Sequence, residues 1–416
     1  MNLQEKISTN TLSHQHPIQR WANFIAGYSI EFVEYCLSTR NRKEDIVIDP
    51  FLGCGTTLVA SRSLGFKGIG FDRHDIFFNL AKAKLGNYSI EHLGKIKNEI
   101  NLAKKPISWS EDARKFLEKL YSEDNLFDIA KASRVVNSFD SQLKPLAATF
   151  FLKACEISCG SQTDGIYKAP TSLKKSKPFT ESIDIAFELF KEDIISEWYQ
   201  KHWIKQPTVS CFNKSSTKML EVDNDSVGVC ITSPPYLNNF DYAEMTRMHL
   251  YLLGWADSWG DISKKIRNHL ITNTTTALKD KKTLDYQRQC RKMLPQSLHN
   301  ELDIIVERLE FERKNRAGKK GYNYLVYPYY AQIQNVLLEL FRVIKTRGIV
   351  HWVIADAALY GVHIKTHLHT AELMGKIGFK NVEIIFLRKR GHRWKLKKRD
   401  GAEEGLGEYH LVAHKH

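Results

Sequence analysis

Ile46-Val47-Ile48-Asp49 runs straight into Pro50-Phe51-Leu52-Gly53-Cys54-Gly55-Thr56-Thr57, and this junction constrains the fold more than any other stretch. An apolar run, a glycine turn and a helix start read as strand, tight turn and helix. Gly65-Phe66-Lys67 turns the chain into a second apolar run, Gly68 to Asp72, after which Asp75 to Leu85 carries helical periodicity. Such a βαβα unit builds a parallel, doubly wound sheet whose ligands bind at the carboxyl ends of its strands. Asp49 and Asp72 both end strands at that edge, and an acid ending the second strand suits a ribose diol through paired hydrogen bonds. Gly53 and Gly55 let backbone approach a ligand closely, and Thr56-Thr57 opens a helix whose free N–H groups face it. Leu58 stands where a dinucleotide fingerprint needs its third glycine, which disfavours NAD.

The alternation stops after Leu85. Residues 86–206 hold amphipathic helical stretches around a turn-rich, lysine-bearing segment from Gly160 to Pro178. Strand-like runs resume at Thr208 to Phe212 and Val227 to Ile231. A second insertion, about 256–325, reads as mostly helical and carries 15 Lys+Arg against nine Asp+Glu. A helix from Tyr329 to Lys345 then leads to strands at Ile349 to Ile354, Val382 to Leu387 and Tyr409 to Ala413. The last two lack room for a crossover helix and are expected to form an antiparallel hairpin. The expected fold is α/β, Rossmann-like: a seven-stranded, mostly parallel sheet with an antiparallel C-terminal hairpin and two helical insertions. The catalytic domain is assigned to 14–85, 207–255 and 326–416. The insertion 86–206 is a candidate for target recognition and 256–325 for DNA contact.

Thr232-Ser233-Pro234-Pro235-Tyr236 follows an apolar strand directly. Two prolines fix the backbone and remove two N–H donors, so the turn presents oxygens as acceptors. An exocyclic amine offers two N–H groups, and acceptors are what a site for it requires. Ser233 and the Pro234 carbonyl can orient those hydrogens and draw off charge as nitrogen attacks a methyl group. Tyr236 offers a flat face for a stacked base. A base within a duplex cannot reach such a pocket, so the target would be flipped out.

These residues resemble the bacterial amino-methylating DNA methyltransferases, which use S-adenosylmethionine to make N4-methylcytosine or N6-methyladenine. Three further segments extend the likeness: His16-Pro17-Ile18-Gln19-Arg20-Trp21, Gly68 to Lys84, and Phe341-Arg342-Val343-Ile344-Lys345 before Gly348. It covers about half the chain. The resemblance implies that His16 and Pro17 belong to the N-terminal cofactor motif. Phe51, Gly53, Gly55 and Thr56 would line the cofactor with Asp72 on its ribose, and Ser215 or Ser216 would lie near the adenine. The catalytic turn is Ser233, Pro234, Pro235 and Tyr236, and serine in its first position favours cytosine N4. Adenine N6 and a catalytically idle DNA-binding subunit stand as alternatives. The cofactor turn precedes the catalytic turn here, whereas many relatives with the same glycine turn have the reverse order. Neither a metal nor a covalent intermediate is needed, and the absence of any Pro-Cys dipeptide argues against attack on cytosine C5.

The charge balance agrees. With 61 Lys+Arg against 47 Asp+Glu the net charge is +14, which favours a polyanionic partner, here double-stranded DNA. Eight basic residues fall between Arg388 and Arg399. Arg388, Lys389, Arg390, Arg393, Lys395, Lys397, Lys398 and Arg399, with Trp394 among them, are candidates to hold phosphates and fill a vacated stack. The seven scattered cysteines read as reduced core residues, Cys155 and Cys159 included. No apolar run reaches the length of about 18 residues that a membrane span needs, and no signal peptide is evident. A cytoplasmic protein is expected, with a cognate restriction endonuclease acting on the same site as a candidate partner.

Overall fold

Among the described residues there are eleven strands, of which seven form one sheet. The computed structural model describes residues 9, 16–22, 27–38, 45–164, 167–203, 209–238, 241–276, 283–314, 321–390 and 406–416. In chain order the strands are β1 (Ile46–Asp49), β2 (Lys67–Phe71), β3 (Ser161–Asp164), β4 (Tyr167–Leu173), β5 (Val209–Phe212) and β6 (Val227–Thr232). They continue with β7 (Ile344–Ala355), β8 (Ala357–Leu359), β9 (Val362–Ile364), β10 (Lys380–Arg390) and β11 (Leu406–His414). The main sheet has the order β10-β11-β7-β6-β1-β2-β5. Neighbours from β5 to β7 pair in parallel, while β11 lies antiparallel between β7 and β10. This is the expected Rossmann-like methyltransferase architecture, with the antiparallel C-terminal hairpin in place.

Both sheet faces are covered, and strand periodicity explains how. Val47, Val229, Ile231, Val353 and Val412 point into one apolar core, whereas Ile48, Cys230, Trp352, Ile354 and Leu411 point into the other. Alternate residues face opposite sides of a strand, so a strand buried on both sides reads as a continuous apolar run. Helices Ile30–Ser38, Thr56–Ser63 and Asp75–Leu85 cover the first face; Val326–Val343 and Thr366–Ile377 cover the second.

The first insertion extends the first core, and the second contributes to both, Ala256, Ile262 and Ile266 joining the first. Helices Ile90–Asn101, Glu123–Ser138, Lys144–Ser158 and Phe179–Ile195 join the first, and helices Leu284–Met293 and Gln296–Lys314 join the second. The Gly160–Pro178 segment, expected as turns alone, contains the antiparallel pair β3–β4. Among the described residues no helix is long and apolar enough to cross a membrane.

Order at the carboxyl edge follows from the strand sequence. From β1 the chain proceeds outward through β2 to β5, then returns to the other side of β1 as β6 and continues to β7. The ends of β1 and β6 therefore flank the point where strand order reverses, the position at which open α/β sheets bind ligands.

Candidate active site

Asp49 ties the two turns together. Its side chain is 2% exposed. Thr232 Oγ1 donates to Oδ1 at 2.6 Å, Thr57 Oγ1 donates to Oδ2 at 2.6 Å, and the Phe51 amide donates to Oδ1 at 3.0 Å. One carboxylate thus joins the end of β1, the first turn of the next helix and the end of β6, one residue before Ser233. Burial pushes its pKa up to about 6 despite these hydrogen bonds.

The cofactor turn is held by the second acid. Asp72 follows β2, and its Oδ2 accepts from the Gly53 amide at 2.7 Å while Oδ1 accepts from the His74 amide at 2.7 Å. Burial raises its pKa to about 7 against these bonds, and the charges of Asp49 and Asp75 push the same way. Gly55 has φ +87°, and a Cβ there would lie 3.1 Å from that of Ala81. Glycine is needed at this helix start for conformation and for contact with the neighbouring helix. Leu58, at the position of the missing third glycine, is fully buried, and its side chain fills the space above Gly68 and Gly70.

A cleft of roughly 930 Å³, open mouth included, lies over this edge, a size suited to a small molecule. Of the residues expected at a cofactor, Asp49, Phe51, Gly53, Thr56, Thr57, Asp72 and Ser215 line it. Gly55 sits behind the wall. His16 and Pro17 are not brought to it. His16 Nε2 meets Glu31 Oε1 at 2.7 Å, and the Ile18 amide donates to Asp193 Oδ2 at 2.8 Å. Trp21 stacks on Phe190 at 4.4 Å, so this segment packs on the first insertion, while Gly27 and Tyr28 further along reach the cleft.

Of the catalytic turn, Ser233 and Pro235 line the cleft, and Pro234 and Tyr236 lie behind it. Tyr236 is only 8% exposed. Its ring, expected as an open stacking face, carries the Arg390 guanidinium 5.0 Å from its centroid, and its hydroxyl donates to Glu408 Oε1 at 2.9 Å. The opposite Glu408 oxygen accepts from Arg388 Nε. Arg388 and Arg390 therefore sit beside the catalytic turn. Lys389 is exposed. Arg393, Trp394, Lys395, Lys397, Lys398 and Arg399 lie outside the described residues.

Several lining residues carried little sequence signal. Lys214 follows β5, His74 and Phe77 follow β2, and Tyr242 follows the catalytic turn, while Ser216, named with Ser215 as a candidate near the adenine, lines the cleft beside it. His269, Leu270 and Ile271 come from the second insertion, and nothing in their local composition marks them. The strap is tied down at Arg267, which pairs with Asp241, and at the Thr274 amide, which donates to the Leu237 carbonyl at 3.1 Å. Glu408 had a signal, a lone acid in an apolar strand pattern, and it lies one residue before the segment read as strand.

Cys155 and Cys159 are buried thiols, and Cys159 Sγ lies 3.6 Å from the Ser161 carbonyl. Among the described residues Cys36, His351 and His410 bring ligand atoms within 4.8 Å of one another. The two imidazoles hydrogen-bond each other at 3.0 Å, and burial lowers the pKa of His410 to about 4. None of the three lines the cleft.

A family model described as DNA methylase matches residues 4–83, a span that includes the cofactor turn and Asp72. The Type II methyltransferase M.AvaI of Nostoc sp. (strain PCC 7120) is 25% identical over 417 residues, 93% of this chain and 85% of its own. The Type II methyltransferase M.BsoBI of Geobacillus stearothermophilus is 24% identical, covering 98% and 86%. M.MjaII of Methanocaldococcus jannaschii, also a Type II methyltransferase, is 38% identical over 94 residues, 23% of this chain and 17% of its own. With a methyltransferase sheet order, a glycine turn and a Ser-Pro-Pro-Tyr turn facing one cleft, and Type II relatives along nearly its whole length, the chain is similar throughout to the amino-methylating DNA methyltransferases.

Proposed function

We propose that this protein transfers a methyl group from S-adenosylmethionine to the N4 amino group of a flipped cytosine in a specific double-stranded DNA site, as the modifying partner of a restriction endonuclease. The observation that carries this reading is the Thr232–Asp49 hydrogen bond of 2.6 Å, which sets the serine of one turn beside the glycines of the other. The methyl donor fits the residues present. Gly53 exposes backbone, Phe51 offers a half-buried ring braced edge-on by Trp352 at 6.0 Å, and Asp72 keeps acceptor capacity for a diol. The donor supplies an electrophilic methyl; the chain's own residues orient the amine and exclude water.

Ser233 accepts one amine hydrogen at the cleft wall, and the Pro234 carbonyl accepts the other once the base is seated deeper on the turn, directing the nitrogen lone pair at the methyl group. Arg390 lies over the Tyr236 face, and stacking of a base there requires the arginine to move aside, towards a DNA phosphate. The basic residues from Arg393 to Arg399 are candidates to hold phosphates, and the strap at His269–Ile271 walls the cleft. The insertions supply base-specific contacts.

Incubation with labelled S-adenosylmethionine and unmethylated bacterial DNA, followed by nucleoside analysis, tests this directly. Label in N4-methylcytosine is the expected result. Label in N6-methyladenine keeps the enzyme and overturns the base assignment. DNA and cofactor binding without label would point to an idle, regulatory subunit.

Asp72 gives the cofactor site a pH dependence. Its carboxyl is raised to about 7, so lowering the pH through that value protonates the group that would accept the ribose hydroxyls. Cofactor affinity is expected to be about tenfold weaker near pH 6 than near pH 8, as read by calorimetric titration, and Asp72→Asn should flatten the profile.

A further inference from the structure

A chain of hydrogen bonds leaves the cleft through the catalytic serine and ends inside the protein. Ser233 Oγ donates to Tyr236 Oη at 3.3 Å, and Tyr236 Oη donates to Glu408 Oε1 at 2.9 Å. Only the first member lines the cleft. Both donors point the same way, from cleft to carboxylate. Resting on the proposed amino-methylation at Ser233, we infer that Ser233, Tyr236 and Glu408 form the route by which the amine loses its proton.

The reaction needs such a route. As the N–CH₃ bond forms and the sulfonium–CH₃ bond breaks, the nitrogen becomes cationic and must release one proton. That proton passes from nitrogen to Ser233 Oγ, the serine hydroxyl proton moves to Tyr236 Oη, and the tyrosine proton moves to Glu408. Each oxygen gives up one proton and gains one, and Glu408 is the net acceptor. No oxidant, metal or further reactant enters.

The surroundings suit each member to its part. Tyr236 is buried and sits beside the Glu408 charge, which together push its pKa well above the ordinary phenol value. It therefore stays a neutral hydroxyl that relays without ionising. Glu408 is 4% exposed, and its second oxygen is held by Arg388, which is 30% exposed and gives the acceptor an edge towards solvent. Arg390 lies over the Tyr236 ring. The other ionisable cluster nearby closes on itself: His363 and His367 both bond Asp356, and His367 stacks on Tyr409 at 3.7 Å. Glu408 never touches the substrate in this scheme. It is a positioning and proton-accepting residue that acts through Tyr236.

Two substitutions separate a relay from a brace. Tyr236→Phe keeps the ring and the packing but breaks the chain. Glu408→Gln keeps an acceptor oxygen for the tyrosine hydroxyl but cannot take its proton. Both are expected to lower the single-turnover rate of methyl transfer about 10²-fold, the scale of general-base assistance. Directly measured affinities for S-adenosylmethionine and for DNA should stay within about threefold of the parent, since neither change removes a residue lining the cleft. In deuterated water the parent should show a proton inventory requiring more than one transferred proton, and Tyr236→Phe a linear one. Unchanged rates in Tyr236→Phe, or full activity in Glu408→Gln, would overturn the relay and leave Glu408 as a brace. A parent protein that methylates no DNA base would instead defeat the underlying functional reading.

Discussion

Replacing Ser233 with alanine is expected to cut the rate of methyl transfer by about 10²–10³, the usual cost of removing one preorganised polar group at a reacting centre. The serine is held by the polypeptide on both sides. Thr232 is locked to Asp49 at 2.6 Å, and Pro234-Pro235 follows without backbone donors. Its hydroxyl therefore occupies a fixed place at the cleft wall, so alanine removes the acceptor without shifting the turn. Cofactor affinity should be unchanged, because the glycine turn and Asp72 are untouched. Single-turnover incorporation of labelled methyl, read beside a binding titration, measures both quantities. A loss below about threefold would mean that the Pro234 carbonyl alone orients the amine.

The largest expected effect on stability falls on Asp49. Asp49→Ala leaves the Thr232 hydroxyl and the Phe51 amide without their acceptor inside the sheet edge and deprives Thr57 of one of its partners. Unfulfilled buried polar groups cost about 1–3 kcal/mol each. Thr57 Oγ1 retains Tyr28 Oη at 2.7 Å, which limits the sum. A net loss of about 3 kcal/mol in denaturant unfolding is expected, with weakened cofactor binding because Asp49 positions both turns. Asp49→Asn should cost less, since one carbonyl oxygen remains. It should also change the pH profile. Asp49 is raised from 3.8 to about 6 in the folded state, so parent stability falls as pH rises across that interval, when the buried carboxyl must ionise. Asparagine cannot ionise, and that decline should disappear. A variant as stable as the parent at every pH would show that Asp49 does not join the two turns.

How far the sequence was legible depends on the range of the interactions involved. The cofactor turn was readable because its constraints are local. Gly53 and Gly55 both have positive φ, and a strand-turn-helix of that composition has few other conformations. The same holds for Pro234-Pro235 after β6. Strand runs were recognised because both sheet faces are buried, leaving unbroken apolar stretches such as Val227–Thr232.

The misses are equally physical. The N-terminal motif offered no local reason for His16 and Pro17 to leave the cleft; a long-range contact decides it, the seating of Ile18 and Trp21 on Asp193 and Phe190, some 170 residues later. The strap at His269–Ile271 reaches the cleft through bonds to Asp241 and Leu237, not through anything in its own composition. Tyr236 was read as an open face because its neighbours in sequence say nothing about Arg390 and Glu408, which β10 and β11 deliver from the far end of the chain.

The sequence by itself determined the sheet and the conformation of its two turns, because backbone conformation and strand periodicity are written in adjacent residues. Tertiary structure alone decided that Asp49 joins the two turns, that the second insertion walls the cleft, and that Tyr236 is capped by an arginine and bonded to a buried carboxylate. Those contacts join residues that are far apart in the chain, and only closure of the sheet brings them within bonding distance.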